Sequence, residues 1–316
     1  MAHRLATIDI GTNPALLLVA ERSEDGALRA VHDDCRFVRL GQGVDAAGVL
    51  SPEAIERTMA ALRDFCAVID DLGAERVGVV GTQALREAEN GGAFLEPARS
   101  LLSKGRPEPV AIEVVSGDRE AELTFRAVSE SLPELAGAEL TVADVGGGST
   151  EVVTGRDGVV RSRRSVAIGS VRLTERHLRG DPVTPDEARA LYAAIDRALA
   201  EVDLPADGRT LVGVAGTATT LAAVELRLEP YDGDRVHGMR LPAPVVERQL
   251  ARYLELTVEE RRRLPGLPPA RADVIAAGAA VFARLLHQMR APALVVSDRG
   301  VRWGLAYELA AAFPLP

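Results

Sequence analysis

LATIDIGTNPALLLVAERSEDGALRAV (residues 5–31) and LTVADVGGGSTEVVTGRDGVVRSRRSV (residues 140–166) share one order of features. Each has an apolar strand ending on Asp-x-Gly, a turn of small residues, a second strand, a glycine-containing turn and a third strand. Asp9 matches Asp144, Gly11 matches Gly146, and Pro14 matches Ser149. Two such copies in a chain of 316 residues predict two similar domains, each presenting one strand-turn-strand loop. Loops of this kind facing one another would clamp a phosphate chain. Pro14 is the exception to be explained, because a phosphate-holding turn works through backbone N–H groups and proline has none.

Between the copies, short Val/Ile/Leu-rich runs alternate with helical patterns, as in SPEAIERTMAALRDFCAVIDDLG followed by ERVGVVGT. Ser51 reads as the N-cap of that helix, with Pro52 at its first position and Gly73 at its end. The class is α/β. The stretch SESLPELAGAE at 129–139 is the loop-like transition between the halves.

Apolar residues at 47% and charged residues at 26% are ordinary for a globular chain, and no apolar run approaches the roughly 20 residues a membrane helix needs. The N-terminus MAHRLATIDIG has no basic, apolar and cleavage-site regions of a secretory signal, so a cytoplasmic location is expected. Cys35 and Cys66 are the only cysteines and have no C-x-x-C spacing, which argues against a disulfide framework or a zinc site. A net charge of -9 argues against nucleic acid or a membrane surface as partner. Lys104 is the sole lysine and lies in no Gly-rich stretch, which excludes a Walker A loop.

The strongest local signal is VADVGGGSTEVV. Three consecutive glycines permit positive φ and close approach of backbone to an anion, and Ser149 and Thr150 add hydroxyls. Asp144 and Glu151 bracket the turn with oxygen ligands suited to Mg²⁺. In LVGVAGTATTLAAVEL a buried strand runs into Gly216 and Thr217 and then a helix, whose N-terminal N–H groups could hold an anion. In AIEVVSGDREAELTFRAV the helix opens with Asp118, Arg119, Glu120 and Glu122; acids in a first turn answer the helix dipole, and the residues alone select none of them for chemistry. GTQALREAENG places Arg86 and Asn90 just after a strand end, where sheets of this class bind ligands. YDGDRVHGMRL adds Arg235 and His237, the latter open between a structural and a catalytic role.

Taken in order, DIGTN, GTQALREAEN, EVVSGDREAEL, DVGGGSTE, IGSVRLTE, AGTATTLAA, VHG, PARADVIAAGA and VSDRGVRWG cover nearly the whole chain. Together they resemble the exopolyphosphatase and guanosine pentaphosphate phosphohydrolase family, in the superfamily of sugar kinases, actin and heat-shock chaperone ATPases. The resemblance implies two duplicated ribonuclease-H-like (actin-like ATPase) domains with the active site in the cleft between them. The expected division is 1–124 together with a C-terminal helix 300–316, and 125–299. VRWGLAYELAAAF is expected to return to the N-terminal half. The chain looks like the family's short form, without the C-terminal His-Asp domain.

The resemblance also selects among the acids of SGDREAE. Glu120 stands at the family's catalytic glutamate position and would serve as general base for the water that attacks the terminal phosphorus. By the same matching, Asp9, Asp144 and Glu151 would hold Mg²⁺ or its waters. Phosphate would be held by Gly11, Thr12, Asn13, Arg86, Gly146, Gly147, Gly148 and Ser149, together with Gly216 and Thr217 at the strand-to-helix turn. The family's first loop carries serine at the place of Pro14 and Arg or His at the place of Leu16, so this chain lacks two phosphate-facing donors there.

The expected activity is release of terminal orthophosphate from inorganic polyphosphate, with hydrolysis of the 5' γ-phosphate of guanosine pentaphosphate as the rival. A non-catalytic nucleotide or polyphosphate sensor with a decayed first loop is the reading from another class, and a kinase or ATPase of the same superfamily lacks a recognisable second-substrate site. A homodimer is expected from the family.

Overall fold

The computed structural model describes residues 3–23 and 27–312. It divides into two compact units, Met1–Leu123 with Val301–Pro316, and Thr124–Gly300. The first division falls inside the helix Gly117–Ser131, so the SESLPELAGAE stretch lies within the second unit rather than at its border.

In the first unit, β1 (His3–Ile10), β2 (Ala15–Arg22), β3 (Leu28–Arg36), β4 (Arg76–Gly81) and β5 (Ile112–Val114) form a sheet of order β3-β2-β1-β4-β5. β1 and β2 pair antiparallel, as do β2 and β3, while β4 and β5 add in parallel. The central strand β1 is apolar on both faces because helices cover both, whereas the edge strand β3 is charged and largely exposed, which discourages pairing with another chain. A parallel neighbour needs a crossover, and the helix Pro52–Asp71 supplies it before β4. Ser51 caps that helix by accepting the Ala54 N–H at 3.2 Å, Pro52 opens it, and Gly73 at φ +65° follows its end. Ile8, Leu17, Leu62, Phe65, Phe94 and Ile112 meet in the core.

The second unit repeats the plan. β6 (Leu140–Val145), β7 (Thr150–Arg156), β8 (Val159–Val166), β9 (Thr210–Val214), β10 (Arg240–Pro242) and β11 (Ala293–Val296) lie in the order β10-β11-β9-β6-β7-β8. Read from β8, the first five strands reproduce the first sheet, and β10 is an antiparallel addition at the far edge. This is the ribonuclease-H-like order, present twice, of the actin-like ATPase fold. The β7–β8 hairpin turns on Asp157 and Gly158, both at positive φ, as a two-residue turn joining right-twisted strands requires. The matching turn of the first copy, at Gly26, lies outside the described residues.

The helix Val301–Ala311 belongs to the first unit. The Thr7 hydroxyl donates to the Arg302 carbonyl at 2.9 Å, Arg22 donates to the Ala310 carbonyl at 3.1 Å, and Leu305 and Leu309 crowd Gly78. Residues 313–316 of the expected helix lie outside the described residues. Among the described residues no helix is long and apolar enough to cross a membrane.

Candidate active site

The two hairpins superimpose by register. Asp9 pairs with Leu16 and Ile10 with Ala15 across β1 and β2; Asp144 pairs with Glu151 and Val145 with Thr150 across β6 and β7. Paired residues of an antiparallel ladder project from the same face. In the second unit this sets two carboxylates side by side, and in the first it sets a carboxylate beside leucine.

The first turn, Gly11 to Pro14, is drawn tight. A Cβ on Gly11 would lie 2.6 Å from the Pro14 carbonyl oxygen, so only glycine fits. The Asn13–Pro14 peptide is cis. The Thr12 carbonyl accepts the Gly41 N–H at 3.0 Å, and the Asn13 side-chain oxygen accepts the Arg39 N–H at 3.4 Å. Polar groups of Thr12 and Asn13 are therefore engaged in holding the segment after β3.

The second turn closes by the Gly146 N–H donating to the Ser149 carbonyl at 3.0 Å. The helix Ser170–His177 seals its back: Ser170 N–H donates to the Gly146 carbonyl at 2.9 Å, and the Val171 and Arg172 N–H groups donate to the Gly147 carbonyl at 2.7 and 3.0 Å. Gly169 is what allows this approach, since a Cβ there would sit 2.6 Å from Gly147 and Gly148 backbone atoms. The physical reason expected for the glycine triplet needs correction. Among the described residues no glycine with positive φ falls in Gly146–Gly148. The helix that seals the turn spends its own first N–H groups on the turn's carbonyls.

Asp144 is buried, and burial pushes its carboxyl up to about 6, against a hydrogen bond from the Thr124 hydroxyl at 3.3 Å. Glu151 is 1% exposed and accepts a hydrogen bond from Ser165 Oγ at 2.7 Å. Ser165 stands opposite Glu151 on β8, so three polar side chains line one row across the sheet. Two carboxyl groups side by side in a buried row are oxygen donors of the type a hard cation such as Mg²⁺ takes, and holding one would require Asp144 to give up its proton. Among the described residues no three His, Cys, Asp or Glu side chains are gathered into a full cage.

In the first unit, β5 runs through Ser116 into the helix Gly117–Ser131, whose first turn carries Glu120, 8% exposed. Arg86, from the short helix Gln83–Glu87 after β4, donates to the Val115 carbonyl at 2.5 Å and lies 3.5 Å from Glu120 Oε2. A guanidinium has five N–H donors, so this grip leaves others for an anion. Asn90 behaves differently. Its amide grips the Leu50 backbone at both ends, accepting from N–H at 2.8 Å and donating to the carbonyl at 3.0 Å.

At the third turn, Ala215 adopts φ +62° where β9 enters the helix Ala215–Leu226, an uncommon conformation for alanine. The Arg271 guanidinium lies directly on Gly216, so a Cβ there would displace it. Thr217 is 3% exposed, and its side chain packs against Gly278. What the turn offers an anion is therefore backbone N–H and the Arg271 guanidinium rather than the Thr217 hydroxyl. His237 has both ring nitrogens on backbone: Nε2 meets the Ser131 carbonyl at 3.0 Å and Nδ1 accepts the Asp298 N–H at 3.3 Å. Burial lowers its pKa, and the neutral Nε2–H tautomer satisfies both partners. This is a structural role. Thr124, Ser165 and Arg271 were not singled out from the sequence; only Ser165 had a signal, since counting register along the second copy places it opposite Glu151.

Two units of one plan, each ending its first strand on an acid and a glycine turn, make up the actin-like ATPase fold, and its relatives make the chain a phosphoanhydride hydrolase. The pattern of the Ppx/GppA phosphatase family matches residues 18–313, and the chain belongs to that family. Exopolyphosphatase 2 of Mycobacterium tuberculosis H37Rv is 41% identical over 97% of this chain and 98% of its own length. A guanosine-5'-triphosphate,3'-diphosphate pyrophosphatase of Aeromonas salmonicida is 30% identical over 96% of this chain and 59% of that protein. The crystal structure of the Aquifex aeolicus Ppx/GppA family member matches with a TM-score of 0.83 at 34% identity, covering 99% of this chain and 100% of that one.

Proposed function

We propose that this protein is an exopolyphosphatase, releasing terminal orthophosphate from inorganic polyphosphate by water attack. The observation that carries the hydrolytic reading is the desolvated Asp144–Glu151 pair at the glycine turn. The polyphosphate substrate is favoured over guanosine pentaphosphate by similarity to Exopolyphosphatase 2 along nearly the full length of both proteins.

Glu120 is the general base: its carboxylate orients the water and takes its proton as the water oxygen bonds to the terminal phosphorus and the bridging oxygen leaves. Arg86 holds that carboxylate on one side and directs its remaining N–H groups to phosphate oxygens. Asp144 and Glu151, with Asp9 from the first hairpin, are the proposed Mg²⁺ ligands. When bound, the ion neutralises phosphate oxygens and polarises the phosphorus. Gly11, Thr12 and Asn13 and Gly146 to Ser149 supply backbone and hydroxyl donors to the phosphate chain, and the Gly216–Thr217 turn supplies backbone N–H groups.

The test is phosphate release, with Mg²⁺, from polyphosphates of defined length and from guanosine pentaphosphate, beside Glu120→Gln. Release from polyphosphate, lost in the variant, is expected. Full activity in Glu120→Gln would sink the base assignment, and binding of both substrates without release from either would identify a sensor.

A further inference from the structure

The residue beside the proposed base is tied to the far end of the chain. Arg119 forms a two-pronged ion pair with Glu308: Nη1 donates to Oε1 at 2.8 Å and Nη2 to Oε2 at 2.5 Å, with Glu113 Oε1 at 3.4 Å from Nε. Both partners are less than a third exposed, and the pair holds the guanidinium pKa above its ordinary value. One helical turn further on, Gly304 meets the backbone of Leu123 so closely that a Cβ would lie 2.0 Å from the Leu123 carbonyl oxygen. Residues 119 and 123 on one helix thus answer 308 and 304 on the other, each pair four apart, so two contacts fix one helix along the other.

The partner helix is itself well anchored. Besides the Thr7 and Arg22 bonds described above, Arg302 Nη2 donates to Asp33 Oδ2 at 2.7 Å with the arginine side chain 9% exposed. The first turn of a helix is its least constrained part, since its N–H groups have no partners within the helix. Here Arg119 N–H donates to Ser116 Oγ at 3.1 Å and Glu120 N–H to the Ser116 carbonyl at 2.9 Å, which ties the backbone of the turn to Ser116. Arg86 holds Glu120, and the Arg119–Glu308 fork holds the residue beside it.

We infer that Glu308 is a positioning residue for the reaction, holding Arg119 and through it the helix turn that aims the Glu120 carboxylate. The inference rests on the reading of Glu120 as base. A carboxylate on a turn free to rock would still be present but misaimed, and small misplacements of a catalytic group lower turnover more than binding.

The test compares Glu308→Gln, Arg119→Gln, and the exchanged pair Arg119→Glu with Glu308→Arg, beside Glu120→Gln. kcat and KM are measured separately with Mg²⁺ on inorganic tripolyphosphate and on long-chain polyphosphate, and folding is followed by thermal unfolding. The expected result is a kcat about tenfold lower in each single variant, KM within about twofold, and recovery of most of the loss in the exchanged pair. If Glu308→Gln fails to fold, Arg119→Gln and the exchanged pair decide the matter by the same readout. Lower melting temperature with unchanged kcat per folded molecule would overturn the positioning role while leaving the base assignment standing. Full activity of Glu120→Gln would instead overturn the base assignment, and the inference with it.

Discussion

Leu16 stands opposite Asp9 at the register position that Glu151 holds opposite Asp144. The two hairpins are therefore alike in backbone and unlike in chemistry: one row ends in two carboxylates and a hydroxyl, the other in a carboxylate beside an apolar side chain. The polar groups left to the first turn are its backbone and the side chains of Thr12 and Asn13.

That asymmetry extends to Pro14, which occupies the place of Ser149 without an N–H or a hydroxyl. Pro14→Ser should tighten binding of orthophosphate about fivefold, the equivalent of one additional net hydrogen bond of about 1 kcal/mol, with melting temperature unchanged. Inhibition by orthophosphate measures it. Unchanged or weaker inhibition would show that the turn never uses that donor.

Replacing the proposed base should act on turnover. Glu120→Gln is expected to lower kcat by about 10²- to 10⁴-fold with little change in KM, because the amide keeps the shape but accepts no proton. A fall in KM affinity alone would point to a binding role.

Asp144 gives a pH dependence whose sign can be worked out. Its folded pKa, raised to about 6 from 3.8, means that between those values the native state keeps a proton the unfolded chain has lost. Stability from this group therefore falls as pH rises from about 4 to about 6 and stays lowered above it. In metal-free protein Asp144→Asn should be more stable than wild type at pH 7, by up to about 3 kcal/mol, with the gap closing below pH 4. Added Mg²⁺ should raise the wild-type melting temperature and not that of the variant. A pH-independent gap would remove the burial explanation.

His237 works in the opposite sense. Burial lowers its folded pKa below 6.5, aided by Arg299 and opposed by the Ser131 bond, Asp298 and Glu134. Its contribution is complete above pH 6.5 and is lost as pH falls through that value, where the unfolded chain takes up the proton first. Thermal unfolding between pH 5 and 8 should show a shallower slope in His237→Gln than in wild type. Equal slopes would mean that another group carries the acid sensitivity.

Asn90→Ala removes both bonds to the Leu50 backbone and should cost about 1–3 kcal/mol of stability. Its kcat per folded molecule should match wild type. A selective loss of kcat would show that Asn90 also serves the ligand.

How much was legible follows from which interactions are local. The doubled hairpin, the Ser51 cap and the Asp157-Gly158 turn were readable because periodicity, capping and turn chemistry act between residues near in sequence. The Asp144–Glu151 pair was readable because the ladder register follows from a four-residue turn. The roles of His237, Asn90 and Thr217 were not, since each depends on a partner brought by folding: Ser131 and Asp298, Leu50, Gly278. The sequence by itself determined two copies of one plan and the acids at their turns; its resemblance to the family added the expected loss of two donors at Pro14 and Leu16. Only the tertiary structure decided that Arg271 sits on Gly216, that burial raises Asp144, and that Glu308 reaches back to Arg119. Desolvation and long-range ion pairs are set by what the whole chain packs against a group, which no local spacing encodes.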